Sequence, residues 1–331
     1  MKRERVAKAP VPSISERRSA IEAEPLPANI PSIQPGGGVC YRIELAWGRL
    51  RRWYLKRCWP GYVGRMARLR SGSVTGCPHE VLDQRDLKFF RNQNDCVWPA
   101  EADSFRWRER LPFARWGLAE LLLMAGPLLA ITLGLALYHW YLAPLTAIPL
   151  ALVVYFFRDP ARHVPSGPGL IVSPADGQVA EVTPLEHDPF VGGPAVRIGI
   201  FLSIFNVHIN RAPMSGRVIR LIYSPGEFRN ALDPESAIYN ENMWIGLEET
   251  RSPYRRFVVR QIAGAIARRI VCDLRPGEVL QRGQKFGMIK LGSRTELILP
   301  ASEGLSVDVK VGDRVKAGAS IMAHWVGSPA V

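Results

Sequence analysis

Residues 286–299 read FGMIKLGSRTELIL, an alternation that places successive side chains on opposite faces of a β-strand. One of the two phases consists of Ile289, Leu291, Ser293, Thr295, Leu297 and Leu299. Ser293 therefore lies on an apolar strand face, directly after Gly292. A buried hydroxyl costs free energy unless it finds a hydrogen-bond partner. The segment alone is equally consistent with a structural serine bonded to the backbone and with a reactive serine.

Residues 158–331 contain further short β-rich runs, separated by Gly- and Pro-containing turns such as Ser224-Pro225-Gly226. The length of this part is ample for a hydrophobic core of its own. We predict an α+β, β-rich fold, in which a compact β-barrel or sandwich domain with little helix follows a hydrophobic helical hairpin. The predicted β-rich runs are 195–205, 217–223, 256–262, 267–272, 286–299 and 306–311.

A first polar cluster is Ser173-Pro174-Ala175-Asp176-Gly177, which follows an apolar run and precedes an alternating one. Asp followed by Gly is a common turn pair, and a turn is the favoured interpretation of this cluster by itself.

A second polar cluster lies in residues 205–211. A period of two places Asn206, His208 and Asn210 on one face, and Phe205, Val207 and Ile209 on the other. The polar face indicates either a functional site or a solvent-facing edge. Zinc is disfavoured because the remaining histidines of this part are scattered, so no metal site is predicted. Those histidines are His163, His187 and His324.

Residues 117–157 form an almost uncharged run in which Glu120 and His139 are the main titratable interruptions. A run of this length matches two membrane spans of about 20 residues each. We predict a membrane-associated helical hairpin over residues 116–157, with spans near 118–137 and 141–157. Arginines flank both ends, which places both ends in the cytoplasm. A shallow re-entrant hairpin and a buried hairpin of a soluble protein are the alternatives.

Residues 1–115 hold 22 Lys and Arg against 12 Asp and Glu, most of the net charge of +13. Residues 1–39 are rich in proline and predict a flexible tail without a secretory signal. Residues 40–115 mix Arg with Trp and show no sustained period. We predict a basic, Pro/Arg/Trp-rich extension that is poorly ordered, or that lies on an anionic membrane surface. An upstream stretch translated from a misassigned start codon is a third interpretation.

The chain has five cysteines, and four of them lie in the basic extension: Cys40, Cys58, Cys77 and Cys96. Their even, wide spacing lacks the close pairs of a typical zinc site. Cys272 is the only cysteine of the C-terminal part, so a disulfide scaffold is not expected there.

Several short motifs in one order resemble the short, bacterial and archaeal type of phosphatidylserine decarboxylase, across roughly residues 116–325. Several motifs in register are a far more specific signal than any one of them. The motifs are FFRDP (156–160), SPADG (173–177), NVHINRAP (206–213), YSPG (223–226), QIAG (261–264), ARRIVC (267–272), FGMI (286–289) and GSR (292–294).

The resemblance implies a proenzyme that cuts itself between Gly292 and Ser293, giving a β chain of 292 residues and an α chain of 39 residues. It implies that Ser293 is converted to the pyruvoyl cofactor. It further implies a catalytic set of Ser293, His208 and Asp176. His208 would take the Ser293 proton, and Asp176 would hold the tautomer of the imidazole and stabilise its cation.

The implied reaction is decarboxylation of phosphatidylserine to phosphatidylethanolamine and CO2 in phospholipid biosynthesis. The pyruvoyl carbonyl would form a Schiff base with the substrate amine and act as the electron sink, with no metal or nucleotide required. His208 is the candidate acid for reprotonation. The implied partners are phosphatidylserine in an anionic membrane and the two chains of one proenzyme, with a homo-oligomer possible and nucleic acid not expected. The implied location is the cytoplasmic face of the cell membrane.

Basic residues near the motifs are candidates for contact with the anionic headgroup, namely Arg158, Arg162 and Arg211. One departure from the family pattern concerns the same function. Many members read Asn-Glu-Arg-Asn where this chain reads Asn240-Glu241-Asn242-Met243. Any headgroup contact from that arginine is absent or replaced here.

Three other interpretations compete with a decarboxylase. Residues 309–318 look like the turn-bearing repeat of lipoyl-type barrels and suggest a membrane-anchored adaptor. The Pro-Ala-Asp-Gly turn suggests a zinc peptidase, which fails because the sequence has no His-x-His pair. An inactive scaffold relative is the third, and the presence of Asp176, His208 and Ser293 argues against it.

Overall fold

The structure is a computed structural model, and it describes residues 21–77, 79–90, 94–231, 233, 235–265, 269–290 and 292–326. Residues 1–20 of the predicted tail and residues 267–268 of a predicted β-rich run lie outside the described residues. The helices within the described part are α1 (Val39–Cys58), α2 (Pro60–Leu69), α3 (Gln84–Phe90), α4 (Leu118–Tyr138), α5 (Ala143–Phe156) and α6 (Ser236–Tyr239).

The strands follow the helical hairpin and fill most of the C-terminal part. They are β1 (Leu170–Val172), β2 (Gly177–Asp188), β3 (Gly193–Leu202), β4 (Ile209–Arg211), β5 (Gly216–Ser224), β6 (Asn242–Glu249), β7 (Arg256–Ala263), β8 (Arg269–Cys272), β9 (Val279–Leu280), β10 (Lys285–Lys290), β11 (Ser293–Pro300), β12 (Leu305–Val307), β13 (Arg314–Val315) and β14 (Ile321–Trp325).

An eight-stranded antiparallel sheet in the order β13-β2-β3-β11-β7-β6-β5-β9 forms the main body of this domain. Two three-stranded sheets, β4-β10-β8 and β1-β14-β12, complete it. The largest cluster of buried apolar side chains is built mainly from these strands. The prediction of an α+β, β-rich fold after an apolar helical segment is confirmed.

The predicted run 286–299 is divided between two sheets. Its first part is β10, which pairs with β4 and β8, and its second part is β11, which pairs with β3 and β7. Gly292 lies between them with φ +61°, a left-handed conformation that interrupts a strand. The alternating pattern predicted both strands but not the change of sheet, because alternation records only which faces are apolar.

The apolar run forms two packed helices, α4 and α5, joined through a short 3-10 turn at Trp140–Leu142. The segment Arg115–Tyr138 has a mean hydropathy of 2.1 and is long enough to cross a membrane. The helix in the second predicted span is too short to cross a membrane. α5 has 14 residues and a length of about 21 Å, whereas the hydrocarbon layer is about 30 Å thick. Thr132 donates to Thr146 across the pair at 2.8 Å.

The base of the hairpin is joined to the β-rich domain. The N–H of Ala114 donates to the carbonyl of Phe157 at 2.7 Å, so the entry and the exit of the hairpin lie side by side. A second buried apolar cluster then connects the hairpin to β4, β8 and β10. It consists of Ile33, Ala114, Trp116, Leu121, Phe156, Phe157, Val207, Ile209, Val271 and Met288.

The segment 40–115 differs from the poor order that the sequence predicts for it. Helices α1 and α3 are joined by the buried ion pair of Arg52 and Asp86 at 3.1 Å, and Met66 and Trp98 belong to a small buried cluster. Ion pairs and aromatic contacts between sequence-distant residues leave no period in the sequence, which explains the difference. The division of the chain into 1–115, 116–157 and 158–331 stays a prediction.

A buried ion pair connects the apolar helix to the strand before Gly292. Glu120 in the first turn of α4 pairs with the ammonium of Lys290 at the end of β10, and both residues are less than a tenth exposed. Lys290 Nζ also donates to Gln34 Oε1 at 3.1 Å. The one carboxylate of the apolar run is therefore held inside the protein.

We expect Glu120→Ala and Lys290→Ala each to destabilise the folded protein by about 3–5 kcal/mol, because each leaves the opposite charge buried without its partner. The double variant Glu120→Leu/Lys290→Met is expected to unfold close to the wild-type temperature, since apolar side chains replace both charges. Thermal unfolding of the detergent-solubilised proteins measures all three. A double variant as unstable as the sum of the single variants contradicts this interpretation of the pair.

Candidate active site

Ser293 is the first residue of the central strand β11 and is completely buried. It pairs with Leu202 of β3 on one edge and with Ala263 of β7 on the other. Its Oγ atom has no hydrogen-bond partner within the described part of the chain. An unbonded buried hydroxyl costs about 1–3 kcal/mol. Of the two alternatives that the sequence left open, a serine bonded to the backbone does not describe this residue.

Gly292 holds the peptide before Ser293 in a left-handed conformation. A Cβ added to Gly292 would meet nothing closer than a methyl of Ile204 at 3.9 Å, so the positive φ and not a lack of space requires glycine here. At Gly264 a lack of space requires glycine, because an added Cβ would lie 2.5 Å from the Gly292 carbonyl oxygen. The QIAG motif therefore brings backbone against the carbonyl that precedes Ser293.

His208 lies against the same peptide. Its Nε2 accepts the Gly292 N–H at 3.0 Å, and its Nδ1 lies 2.9 Å from the carbonyl oxygen of Asn206. Because Nε2 accepts, the imidazole is the neutral tautomer that carries its proton on Nδ1. The pKa of His208 is lowered to about 4, chiefly by burial; the hydrogen bond to the Asn206 carbonyl acts in the opposite direction, and nearby Arg158 adds to the lowering.

Asp176 makes its hydrogen bonds away from His208. Its Oδ1 accepts the N–H of Ala317 at 2.8 Å, and its Oδ2 accepts from the guanidinium of Arg162 at 2.7 Å. The structure therefore assigns the tautomer-holding contact, which the resemblance implied for Asp176, to the carbonyl of Asn206. Burial raises the pKa of Asp176, and its two hydrogen-bond partners partly offset that rise.

The turn that holds Asp176 is connected to the strand that follows His208. The carbonyl of Pro174 accepts the N–H of Arg211 at 3.0 Å and a weaker bond from Asn210 Nδ2 at 3.4 Å. Asn210 Nδ2 also donates to Thr295 Oγ1 at 3.1 Å. The three polar motifs of the sequence thus meet in one region, although their acidic and basic members are not in direct contact.

A buried amide network supports this region, and the sequence analysis did not assign it a function. Gln261 Nε2 donates to Asn210 Oδ1 at 2.9 Å and to the carbonyl of Val271 at 3.2 Å. Asn210, Gln261 and Thr295 are each completely buried. In the sequence each of these residues is a polar side chain inside an apolar strand. That pattern predicts that the side chain forms a hydrogen bond, but it does not identify the partner.

Two of the three candidate arginines are already paired. Arg162 contacts Asp176, and Arg211 pairs with Asp159 at 3.4 Å. Arg158 is partly exposed, and it donates to the carbonyls of Tyr155 and Phe205 at 2.7 and 2.8 Å. Arg158 is therefore the member of the three that lies at the surface without a carboxylate partner among the described residues.

Residues 240–243, where this chain departs from the family pattern, lie beside Ser293 and have a structural role. Asn240 Nδ2 donates to the carbonyl of Ala263 at 2.7 Å, and the N–H of Ala263 donates to the carbonyl of Glu241 at 2.9 Å. Met243 is completely buried. These contacts hold the residue that pairs with Ser293.

The turn before His208 carries exposed apolar side chains. The period of two predicts one face for Phe205, Val207 and Ile209, but Val207 and Ile209 are buried while Phe205 is 56% exposed. Phe205 does not share the environment of the other two because the side chain of Asn206 accepts the N–H of Ser203 and closes a turn there. The neighbouring Ile204 is also exposed.

Comparisons with known proteins agree with these motifs. Residues 150–323 match the family model for phosphatidylserine decarboxylase. A protein of Rhodopirellula baltica named phosphatidylserine decarboxylase proenzyme is 49% identical over 239 residues, which cover 72% of this chain and 99% of that protein. Proteins with the same name from Desulfotalea psychrophila (45% identical, 53% of this chain and 80% of theirs) and Syntrophus aciditrophicus (41%, 66% and 96%) also match.

The motifs, the fold and these matches together define a carboxy-lyase. The chain belongs to the phosphatidylserine decarboxylase family.

We expect Asp176→Ala to cost about 3–5 kcal/mol of folding free energy, because it leaves the Arg162 guanidinium, whose side chain is 11% exposed, and a buried N–H unpaired. Asp176→Asn keeps an acceptor for Ala317 and is expected to cost less. Thermal unfolding measures both. The matched control is Asp308→Ala, which breaks the exposed pair with His324 and is expected to cost less than about 1 kcal/mol. Equal losses for Asp176→Ala and Asp308→Ala would contradict a buried structural role of Asp176.

Proposed function

We propose that the protein cuts its own chain between Gly292 and Ser293 and then converts phosphatidylserine to phosphatidylethanolamine and CO2. One observation carries the proposal: the buried Oγ of Ser293, which no described group bonds, follows a glycine whose amide is hydrogen-bonded to the neutral His208. The relatives at 41–49% identity that are named proenzymes support it.

The cleavage needs only groups of this chain and water. Oγ of Ser293 attacks the carbonyl carbon of Gly292, the C–N bond between the two residues breaks, and the freed nitrogen takes a proton, which leaves an ester. β-Elimination then releases Gly292 as a carboxylate and leaves dehydroalanine at position 293. Addition of water and loss of ammonia convert that residue to a pyruvoyl group.

His208 is the proposed base for the first step. Serine is a weak nucleophile and requires a base to take its proton. The Nε2 atom of His208 is unprotonated and already directed at the Gly292 amide, 3.0 Å from its nitrogen. A base whose pKa is lowered to about 4 has little driving force for proton transfer at neutral pH. This is compatible with a cleavage that each molecule performs once.

We propose that Asp176 contributes by position. Its contacts with Arg162 and Ala317 fix the turn whose Pro174 carbonyl holds the strand after His208. A displacement of this turn would move His208 relative to Gly292. The proposed participants in cleavage are therefore Ser293 and His208 directly, and Asp176 through the turn.

The surroundings of residue 293 fit a pyruvoyl group, because the one side chain that would form it is buried and unbonded. When formed, the group supplies a carbonyl that withdraws electrons as CO2 leaves the serine headgroup. The α chain would contribute β11, which pairs on both edges with β3 and β7 of the β chain. This pairing is expected to keep the two chains together after cleavage.

We propose that the site works at the cytoplasmic face of an anionic membrane. The apolar helix α4 is long enough to span the bilayer, and the base of the hairpin packs against the strand that follows His208. The exposed side chains of Ile204 and Phe205, together with Arg158, would meet the headgroup region. A lipid substrate could then reach the site without leaving the bilayer.

The intact mass of the purified, detergent-solubilised protein tests the cleavage. We expect two fragments that separate after residue 292, with the smaller one carrying a keto group and no free amine at its N-terminus. Ser293→Ala is expected to remain one chain and to have no decarboxylase activity on phosphatidylserine vesicles. His208→Ala and Asp176→Ala are expected to cleave far more slowly.

A single intact wild-type chain would overturn the proposal in favour of an inactive relative or a membrane-anchored adaptor. Cleaved protein without activity on phosphatidylserine would overturn only the proposed identity of the substrate. Complete cleavage of His208→Ala would remove His208 as the base.

The lowered pKa of His208 predicts how cleavage depends on pH. The neutral imidazole is the base, so protonation abolishes its role, and the rate is expected to be flat from pH 8 to about pH 6 and to fall to half near pH 4. Cell-free synthesis followed by a chase at each pH measures the rate. Circular dichroism of Ser293→Ala at each pH verifies folding. A rate that halves between pH 7 and pH 6 would contradict a buried, neutral His208.

A further inference from the structure

A large groove lies between the N-terminal extension and the base of the apolar helix. Its volume is about 1170 Å3, and its walls come from Ile33, α1, α3, the segment 96–116, the first two turns of α4 and the loop 273–278 after β8. This exceeds the roughly 300–1,000 Å3 of a pocket for a small ligand. The residues proposed for catalysis do not line the groove.

The wall of the groove is mainly apolar and continues into the proposed membrane span. Trp47 of α1 and Trp107 contribute large, half-exposed aromatic surfaces. Leu118 and Leu122 of α4 contribute the opposite side, and Leu122 is 72% exposed. Since α4 continues as an apolar helix to Tyr138, a chain lying along Leu122 would extend directly into the hydrocarbon layer.

Two arginines in the groove have no carboxylate partner within the described ranges. These are Arg85 and Arg108, whereas Lys88 and Arg115, also in the wall, form ion pairs with Glu44 and Glu109. The guanidinium of Arg108 lies over the ring of Phe105, 4.4 Å from its centroid. Among the described residues these two guanidiniums form no ion pair with a carboxylate, although Glu44, Asp103, Asp273 and Glu278 also line the groove.

The surroundings of these two arginines disfavour their positive charge. Burial, followed by the neighbouring Arg85 and Arg115, lowers the pKa of Arg108 to about 10. Burial and the nearby Arg51 lower the pKa of Arg85 as well. An anion placed between the two guanidiniums would relieve this repulsion.

We propose that this groove binds an anionic glycerophospholipid of the bilayer, with its phosphate between Arg85 and Arg108 and an acyl chain along Trp47 and Leu122. The orientation toward the bilayer rests on the proposed function. The ligand chemistry follows from the groove itself: a phosphodiester matches two guanidiniums that have no carboxylate partner among the described residues, and a long apolar chain matches a wall that leads into the membrane. The groove is a second lipid site, which anchors the N-terminal extension to the membrane beside the catalytic domain.

Native mass spectrometry of the detergent-solubilised protein tests the proposal with two added lipids, dioleoyl phosphatidylglycerol and dioleoyl phosphatidylcholine. The Ser293→Ala protein is used, so the result depends neither on self-cleavage nor on decarboxylase activity. We expect one phosphatidylglycerol to bind at least about tenfold more tightly than phosphatidylcholine. Arg85→Gln/Arg108→Gln is expected to lose this preference.

Matched variants outside the groove control for charge and for aromatic area. Arg57→Gln/Arg68→Gln removes two exposed charges from α1 and α2 and is expected to keep the preference. Trp47→Ala is expected to weaken the binding of both lipids by a similar factor. Trp53→Ala, on the same helix but outside the groove, is expected to leave the binding of both lipids unchanged.

Three results would overturn the proposal. The first is equal binding of the two lipids by the unaltered groove. The second is an equal loss in Arg85→Gln/Arg108→Gln and in Arg57→Gln/Arg68→Gln, which would indicate only general charge. The third is that glycerol phosphate competes as well as phosphatidylglycerol does, which would indicate a site for the anion alone. Failure of the proposed function would appear separately, in the cleavage and activity of the unmodified protein.

Discussion

The central strand β11 is hydrogen-bonded along both edges and buried along its whole length, so each polar side chain on it needs a partner inside the protein. Arg294 and Glu296 contact each other at 3.0 Å and reach Glu181 and Arg260 on neighbouring strands. Thr295 accepts from Asn210. Among the described polar side chains of this strand, Ser293 is the exception, and its unbonded hydroxyl lies next to the glycine peptide that His208 contacts. The pairing of β11 on both edges thus holds the Ser293 hydroxyl where no described group bonds it.

The base of the apolar hairpin packs against the β-rich domain around His208 and Gly292. Its base shares a buried cluster with the residues on either side of His208, and its single carboxylate, Glu120, is paired with Lys290 two residues before Gly292. A buried ion pair and an apolar interface therefore hold the foot of the helix against the strand before Gly292, because neither can be displaced without exposing a charge or apolar surface.

In the N-terminal extension, the sequence pattern gave a wrong prediction of poor order for the segment 40–115. Its arginines and tryptophans have no period, and the chain between residues 40 and 115 suggested poor order. In the structure several of these residues contact partners far along the chain, as Arg52 does with Asp86 and Trp98 with the carbonyl of Met66. Arg85 and Arg108, which form no ion pair with a carboxylate in the described part of the chain, both line the groove against the apolar helix. Composition left a membrane surface as one of three interpretations of this segment, and only the packing of the helices brings these residues into one groove.

The sequence by itself determined the β-rich fold, the apolar segment, the family and the three motifs that meet around Ser293, because strand alternation, hydropathy and motif order are local properties of the chain. It did not determine that residues 286–299 divide between two sheets at Gly292, that Phe205 is exposed while Val207 and Ile209 are buried, or that Asn206 and not Asp176 contacts the imidazole of His208. Those features depend on which of several possible hydrogen-bond partners a polar group finds. That choice is made by residues distant in the chain, so only the tertiary structure decided it.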